Sequence, residues 1–246
     1  MNSKRQLIRK RIIFFSFLFF PFTIFYFSPV LIIGASMSGV LAGSMILFAL
    51  QFLSSLFFGR AFCGWVCPGA GLQQCCSTVT PKKIKNGRSR LIKYFIFIPW
   101  LTTIVILLIR AGGIKKVDPL YMTNNSMPLL GVEGYIVYFM VILLMVVMAL
   151  ALGTRSFCRT LCWMAPFMVF GIKLKERLGY RSLRLTAKPD ACTGCGQCTR
   201  ICPMSLDVQR MAKSGHTQNS ECILCGECAD VCRFGAVKLG VASKDH

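Results

Sequence analysis

The sequence predicts an α-helical membrane protein with four transmembrane helices, arranged as a duplicated hairpin and followed by a small α+β unit. Three observations predict it. Hydrophobic residues make up 54% of the 246 and charged residues only 15%, with a mean hydropathy of +0.59, a membrane protein's composition. The pattern Arg-x-Phe-Cys-x-x-x-Cys occurs at 60–67 and again at 155–162, each time just after an apolar run. Two runs of four cysteines then crowd the C-terminal part of the chain.

Lys4, Arg5, Arg9, Lys10 and Arg11 form a basic arm, after which no charge appears until Arg60. That gap is long enough for two spans of about 20 residues. The first is expected near 12–27 and the second near 40–58, with a turn marked by Ser28-Pro29 and by Gly34 and Gly39. The apolar stretch is too long for the core of a cleaved signal peptide, so the arm opens a retained anchor. A polar loop with Lys82, Lys83, Lys85, Arg88 and Arg90 leads to a third run at 94–109. Arg110 closes it and is expected at the outer interface, since at the bilayer centre it would cost about 2.5–3.5 kcal/mol. Residues 111–133 are a loop, and 134–154 are the fourth span. Residues 164–177 mix Phe167, Met168, Phe170 and Ile172 with Lys173, Lys175 and Arg177; an interfacial helix and a plain linker both suit them.

Counting cations orients the chain. The arm has five, 60–93 has seven and 155–188 has eight, whereas 28–39 has none and 110–133 has three. Both termini are therefore expected inside, in the inner membrane of a prokaryotic cell. The expected layout is a helical domain at 1–170, a basic linker at 171–188 and the cysteine-rich unit at 189–246. A net charge of +20 also suits nucleic acid, but these cations flank apolar segments and no nucleic-acid motif is present, so the lipid bilayer is the expected partner.

The cysteine runs carry the chemistry. Cys192, Cys195, Cys198 and Cys202-Pro203 repeat as Cys222, Cys225, Cys228 and Cys232, the bacterial ferredoxin spacing written twice, in which the fourth cysteine of each run ligates the other cluster. One [4Fe–4S] cluster is therefore assigned Cys192, Cys195, Cys198 and Cys232, and the second Cys222, Cys225, Cys228 and Cys202. Gly194, Gly196 and Gly226 suit a backbone that approaches an inorganic core. Zinc motifs pair cysteines and rarely string four, and disulfides do not suit a reducing cytoplasm, where such clusters assemble. Arg233 follows Cys232 where the first run has proline, which changes charge and solvent access beside one cluster.

The four spans, the two C-x-x-x-C pairs and the terminal two-cluster unit resemble the NapH/NosR-type membrane polyferredoxins, most closely the short NapH-like branch. The residues Phe62-Cys63-Gly64-Trp65-Val66-Cys67-Pro68 carry the resemblance. The second copy departs from it, since Trp163 follows Cys162 and the proline is displaced to Pro166. The resemblance implies an integral membrane iron–sulfur electron-transfer protein, passing electrons between a quinol pool or cytoplasmic donor and a partner oxidoreductase, with no catalytic pocket of its own. CcoG-like proteins have similar spans and clusters, so the alternative is a factor that reduces a metal or thiol during assembly of another redox enzyme.

Cys63, Cys67, Cys158 and Cys162 are candidate ligands of a third site, iron–sulfur or zinc. If the chain stays helical past each span, each pair lies on one helix face; the alternative is that these are small buried residues packing the hairpins together. Cys75 and Cys76 remain as free thiols. His216 and His246 are the only histidines and neither lies in a span, which excludes a bis-histidine haem in the bilayer. No G-x-G-x-x-G and no zinc-hydrolase motif is present. Trp65, Trp100 and Trp163 are expected as interfacial anchors.

Overall fold

The computed structural model describes residues 4–80, 82–84, 88–121, 123–124, 127–128 and 132–243. Lys85 and His246, named above, lie outside them. The helical part runs α1 (Lys4–Leu18), α2 (Phe20–Thr23), α3 (Pro29–Met37), β1 (Val40–Ala42), α4 (Gly43–Phe58), α5 (Ala61–Trp65), α6 (Pro68–Val79), α7 (Ile92–Arg110), β2 (Lys116–Asp118), β3 (Thr123–Asn124), β4 (Met127–Pro128), α8 (Val132–Leu152), α9 (Ser156–Thr160) and α10 (Ala165–Leu178). The C-terminal unit adds β5 (Ser182–Ala187), α11 (Gln197–Ile201), α12 (Val208–Lys213), α13 (Glu227–Val231) and β6 (Val237–Ala242).

Four uninterrupted spans are not what the helices form. Among the described residues one helix, Ser89–Arg110, is long and apolar enough to cross a membrane, while Gly43–Phe58 and Tyr138–Leu152 are shorter apolar helices. The expected span at 12–27 breaks after Leu18 and finishes in the 3-10 turn Ile24–Phe27. Pro21 is the reason, since it has no N–H to continue the ladder and its ring crowds the preceding turn. Pro29, at the first turn of α3, starts a helix without that penalty. Gly39, at φ 63°, turns the chain into β1, which pairs in parallel with β2.

The repeat extends to the backbone. In copy one, Val66 and Cys67 both donate their N–H to the Phe62 carbonyl; in copy two, Leu161 and Cys162 both donate to that of Phe157. Each copy is thus an apolar helix, a short helix bearing the first cysteine, a corner, and a second helix. The copies exchange partners, α4 packing on α10 and α6 on α8. Gly171 permits the first contact, because a Cβ there would run into Ser55. The pairs are consequently not on one helix face: α5 stops at Trp65 and Cys67 is the N-cap residue of α6, at φ −59° and ψ 121°.

Residues 171–188 are not a linker. They hold the end of α10, whose Met168, Val169 and Ile172 are buried, and β5, antiparallel to β6 from Ser182↔Ala242 to Ala187↔Val237. The alternation Leu183-Arg184-Leu185 is a strand pattern that the count of cations obscured. One buried cluster joins the two parts, with Cys63 and Met168 packed among Leu185, Met204, Ile223 and Leu224.

Candidate metal centres

Each cysteine run makes a loop that closes onto a short helix. Gly196 and Gly226, at φ 73° and 76°, turn the loops into α11 and α13, a conformation that a Cβ disfavours. The third cysteine of each run, Cys198 or Cys228, is buried on its helix, and the fourth follows the helix end. Because α11 packs against α13, the fourth cysteine of either run reaches the other run's loop. Cys202, Cys222, Cys225 and Cys228 line one cavity with Pro203 and Met204. Cys192, Cys195, Cys198 and Cys232 line a second with Phe234 and Val237. Their empty volumes, mouths included, are about 380 Å³ and 350 Å³.

The donor sets suit a cationic iron–sulfur core. Burial pushes the Cys222 thiol up to about 11 and that of Cys225 up to about 12, and it raises Cys198, Cys202 and Cys228 as well. Four thiolates in such a place need compensating positive charge, which ligated iron provides. Among the described residues no three His, Cys, Asp or Glu side chains gather as they would around a single metal ion.

The repeat's four cysteines are electrostatic neighbours of one another. Cys67 is close enough to Cys63, Cys158 and Cys162 to be affected by their charge, and burial, followed by Cys158 and Cys63, pushes Cys162 up to about 12. Gln73 donates its amide to Cys158 Sγ at 3.0 Å, and Cys63 Sγ lies 3.4 Å from Met168 Sδ. Arg60 and Arg155 are fully buried and act electrostatically on Cys63. Arg60 also reaches Cys63 through a side-chain hydrogen bond, and Nε of Arg155 has no acceptor among the described residues. Two buried guanidiniums beside four thiols fit an anionic centre.

Both copies of the repeat seat one quartet. In copy one a Cβ on Gly64 would collide with the Ile223 carbonyl, and Trp65 donates its indole N–H to the Leu224 carbonyl at 3.0 Å. Leu224 stands at φ 49°, a left-handed conformation that a leucine holds only when its surroundings impose it. In copy two, Arg159 donates to the Met204 carbonyl at 3.1 Å. Ile223, Leu224 and Met204 belong to the loops of the Cys202, Cys222, Cys225 and Cys228 quartet, so this quartet adjoins the repeat and the other is distal. Trp65 is thus a docking residue, and Trp100 and Trp163 likewise donate inward, to the carbonyls of Pro29 and Phe27.

A second set of contacts is ionic. Glu221 accepts from Arg60 Nη1 at 2.8 Å and Lys93 Nζ at 2.5 Å. Asp230 accepts from Arg5 Nη2 at 2.7 Å and from Gln6, and Glu227 pairs with Arg9. Cations counted for membrane orientation therefore clamp the C-terminal unit. The available signal was the acidic content of the second cysteine run, where Glu221, Glu227 and Asp230 fall beside or between the cysteines. His216 is an exposed loop residue, and Cys75 is exposed.

Comparison with known proteins agrees with this division. Residues 184–233 match the 4Fe-4S dicluster domain, and 40–86 and 133–181, which contain the two C-x-x-x-C pairs, each match a 4Fe-4S binding domain. An uncharacterised protein of Methanocaldococcus jannaschii is 25% identical over 87% of the chain and 76% of its own length. Protein NirI of Paracoccus denitrificans is 26% identical over 72% of the chain. The methylamine utilization ferredoxin-type protein MauN of Methylobacillus flagellatus is 28% identical over 66%. The chain spans only 25% of NirI and 54% of MauN. No solved structure matches. The chain carries 4Fe-4S ferredoxin-type domains, and its cofactors are two [4Fe–4S] clusters.

Proposed function

We propose that the chain is an integral membrane electron-transfer protein of the NapH-like kind, linking a quinol pool or a soluble donor to a partner oxidoreductase. The observation that carries the reading is the seating of one cysteine quartet on both copies of the repeat. Bound clusters supply one-electron transfer at potentials set by their surroundings. The chain holds them in series: Cys63, Cys67, Cys158 and Cys162 hold a third, iron–sulfur centre, Cys202, Cys222, Cys225 and Cys228 hold the adjoining cubane, and Cys192, Cys195, Cys198 and Cys232 hold the distal one. Arg60 and Arg155 offset the charge of the innermost centre.

Membrane insertion is supported by the outward faces of α4, α7 and α8. Phe57, Phe95, Ile109, Phe139 and Leu143 are 57–81% exposed, and large apolar side chains left open on three helices suit a lipid or protein contact. The test is a cysteine placed at exposed Ser214, probed with a membrane-impermeant reagent. Labelling only after cells are permeabilised is expected; labelling on sealed cells refutes the orientation. Recovery in the soluble fraction refutes insertion.

A further inference from the structure

Between α1, α6 and the C-terminal unit lies an open cleft with an empty volume, mouth included, of about 1820 Å³. Its wall contains Cys202 from the adjoining quartet and Cys232 from the distal one. It therefore reaches ligand-bearing turns of both cavities.

The charge of this cleft is one-sided. Its carboxylates, Glu227 and Asp230, are already paired with Arg9 and Arg5. Its cations are not matched in that way. Lys83 donates to the Thr199 carbonyl at 2.6 Å and Arg200 to the Cys195 carbonyl at 3.5 Å, while Lys10 and Arg233 are exposed. These four come from α1, the loop after α6, α11 and the turn after α13, so four separate segments of the wall contribute them. Arg233 is the informative member. The first run places buried Pro203 after its fourth cysteine, whereas the second places an exposed cation there.

We propose that this cleft is the docking site of a water-soluble, acidic electron-transfer protein, whose carboxylate-bearing surface seats on Lys10, Lys83, Arg200 and Arg233. Distributed cations suit a patterned protein surface better than one small anion, and such complementarity fixes orientation and speeds encounter. The assignment rests on the electron-transfer reading and adds the class of partner and its place of contact.

The test is anaerobic titration calorimetry of the full-length protein in detergent with oxidised flavodoxin, an acidic flavoprotein. Iron and sulfide are measured on the same samples. The wild type is expected to bind, with affinity falling as salt rises. The double variant Arg200→Glu and Arg233→Glu is expected to bind about tenfold or more weakly and to lose most of the salt dependence. Lys173→Glu, at an exposed position of α10 outside the cleft, is expected to bind within about twofold of wild type. Iron-loaded protein that fails to bind, or a double variant that binds as Lys173→Glu does, overturns the docking site alone. Folded wild-type protein without iron and sulfide refutes the electron-transfer reading beneath it.

Discussion

Replacing Glu221 by glutamine keeps the side chain's shape and removes its charge. In the native fold the carboxylate accepts from Arg60 at 2.8 Å and Lys93 at 2.5 Å, and both cations are fully buried. Removing one partner of a buried ion pair costs about 3–5 kcal/mol, because the remaining charge is stranded away from water. Arg60 keeps the neighbouring cysteine quartet while Lys93 is stranded, so about 4 kcal/mol is expected. For a chain of this size that corresponds to a fall in melting temperature of roughly 10–20 °C. Anaerobic thermal unfolding in detergent reads it directly. Adding Lys93→Met removes one stranded charge and should recover part of the loss. Burial opposes ionisation of Glu221, but Arg60 and Lys93 outweigh it and hold the carboxyl below the usual range. A depressed carboxylate stabilises the fold above its unfolded pKa, and that contribution is lost as pH falls through the folded value. The gap between wild type and Glu221→Gln should therefore be full at neutral pH and close only below the ordinary carboxylate range. A variant melting within about 2 °C of wild type at pH 7 would refute the clamp.

Three further outcomes are expected. Cys195→Ser should remove one cubane's electron paramagnetic resonance signal and weaken the other, since α11 and α13 pack together; two undiminished signals would contradict the quartets. Gly64→Ala, which drives a Cβ into the Ile223 carbonyl, should destabilise the protein by about 1–3 kcal/mol, with the adjoining cubane's signal altered more than the distal one's. Trp65→Phe removes the N–H that holds the Leu224 carbonyl and should cost about 1 kcal/mol, measured by denaturant unfolding under anaerobic conditions.

What was legible in the sequence followed from how local each determinant is. The cysteine spacing is a short-range constraint, so the two quartets lining the cavities could be written down from Cys192 to Cys232 alone. The repeat was equally local, and its matching bonds to the Phe62 and Phe157 carbonyls follow from matching residues. Helix continuity was harder to read. Hydropathy registers the run from Ile12 to Phe27 as uniform, yet Pro21 breaks it, and the corner at Cys67 depends on Pro68 opening a new helix. The clamps were invisible because Arg9 and Glu227 stand 218 positions apart, and a basic arm before an apolar run has a sufficient local explanation in membrane topology. Strand β5 was missed for a related reason, since Arg184 and Lys188 hid an alternation that only β6 makes meaningful.

The central claim is that iron–sulfur centres stand in series from the repeat to the distal quartet, and metal content tests it most directly. Iron, zinc and acid-labile sulfide are measured per chain in anaerobically purified full-length protein and in the double variant Cys63→Ser and Cys158→Ser. About twelve iron and twelve sulfide are expected in the wild type, falling to about eight of each in the variant. Zinc without sulfide in the wild type, or equal iron in the two proteins, would contradict it.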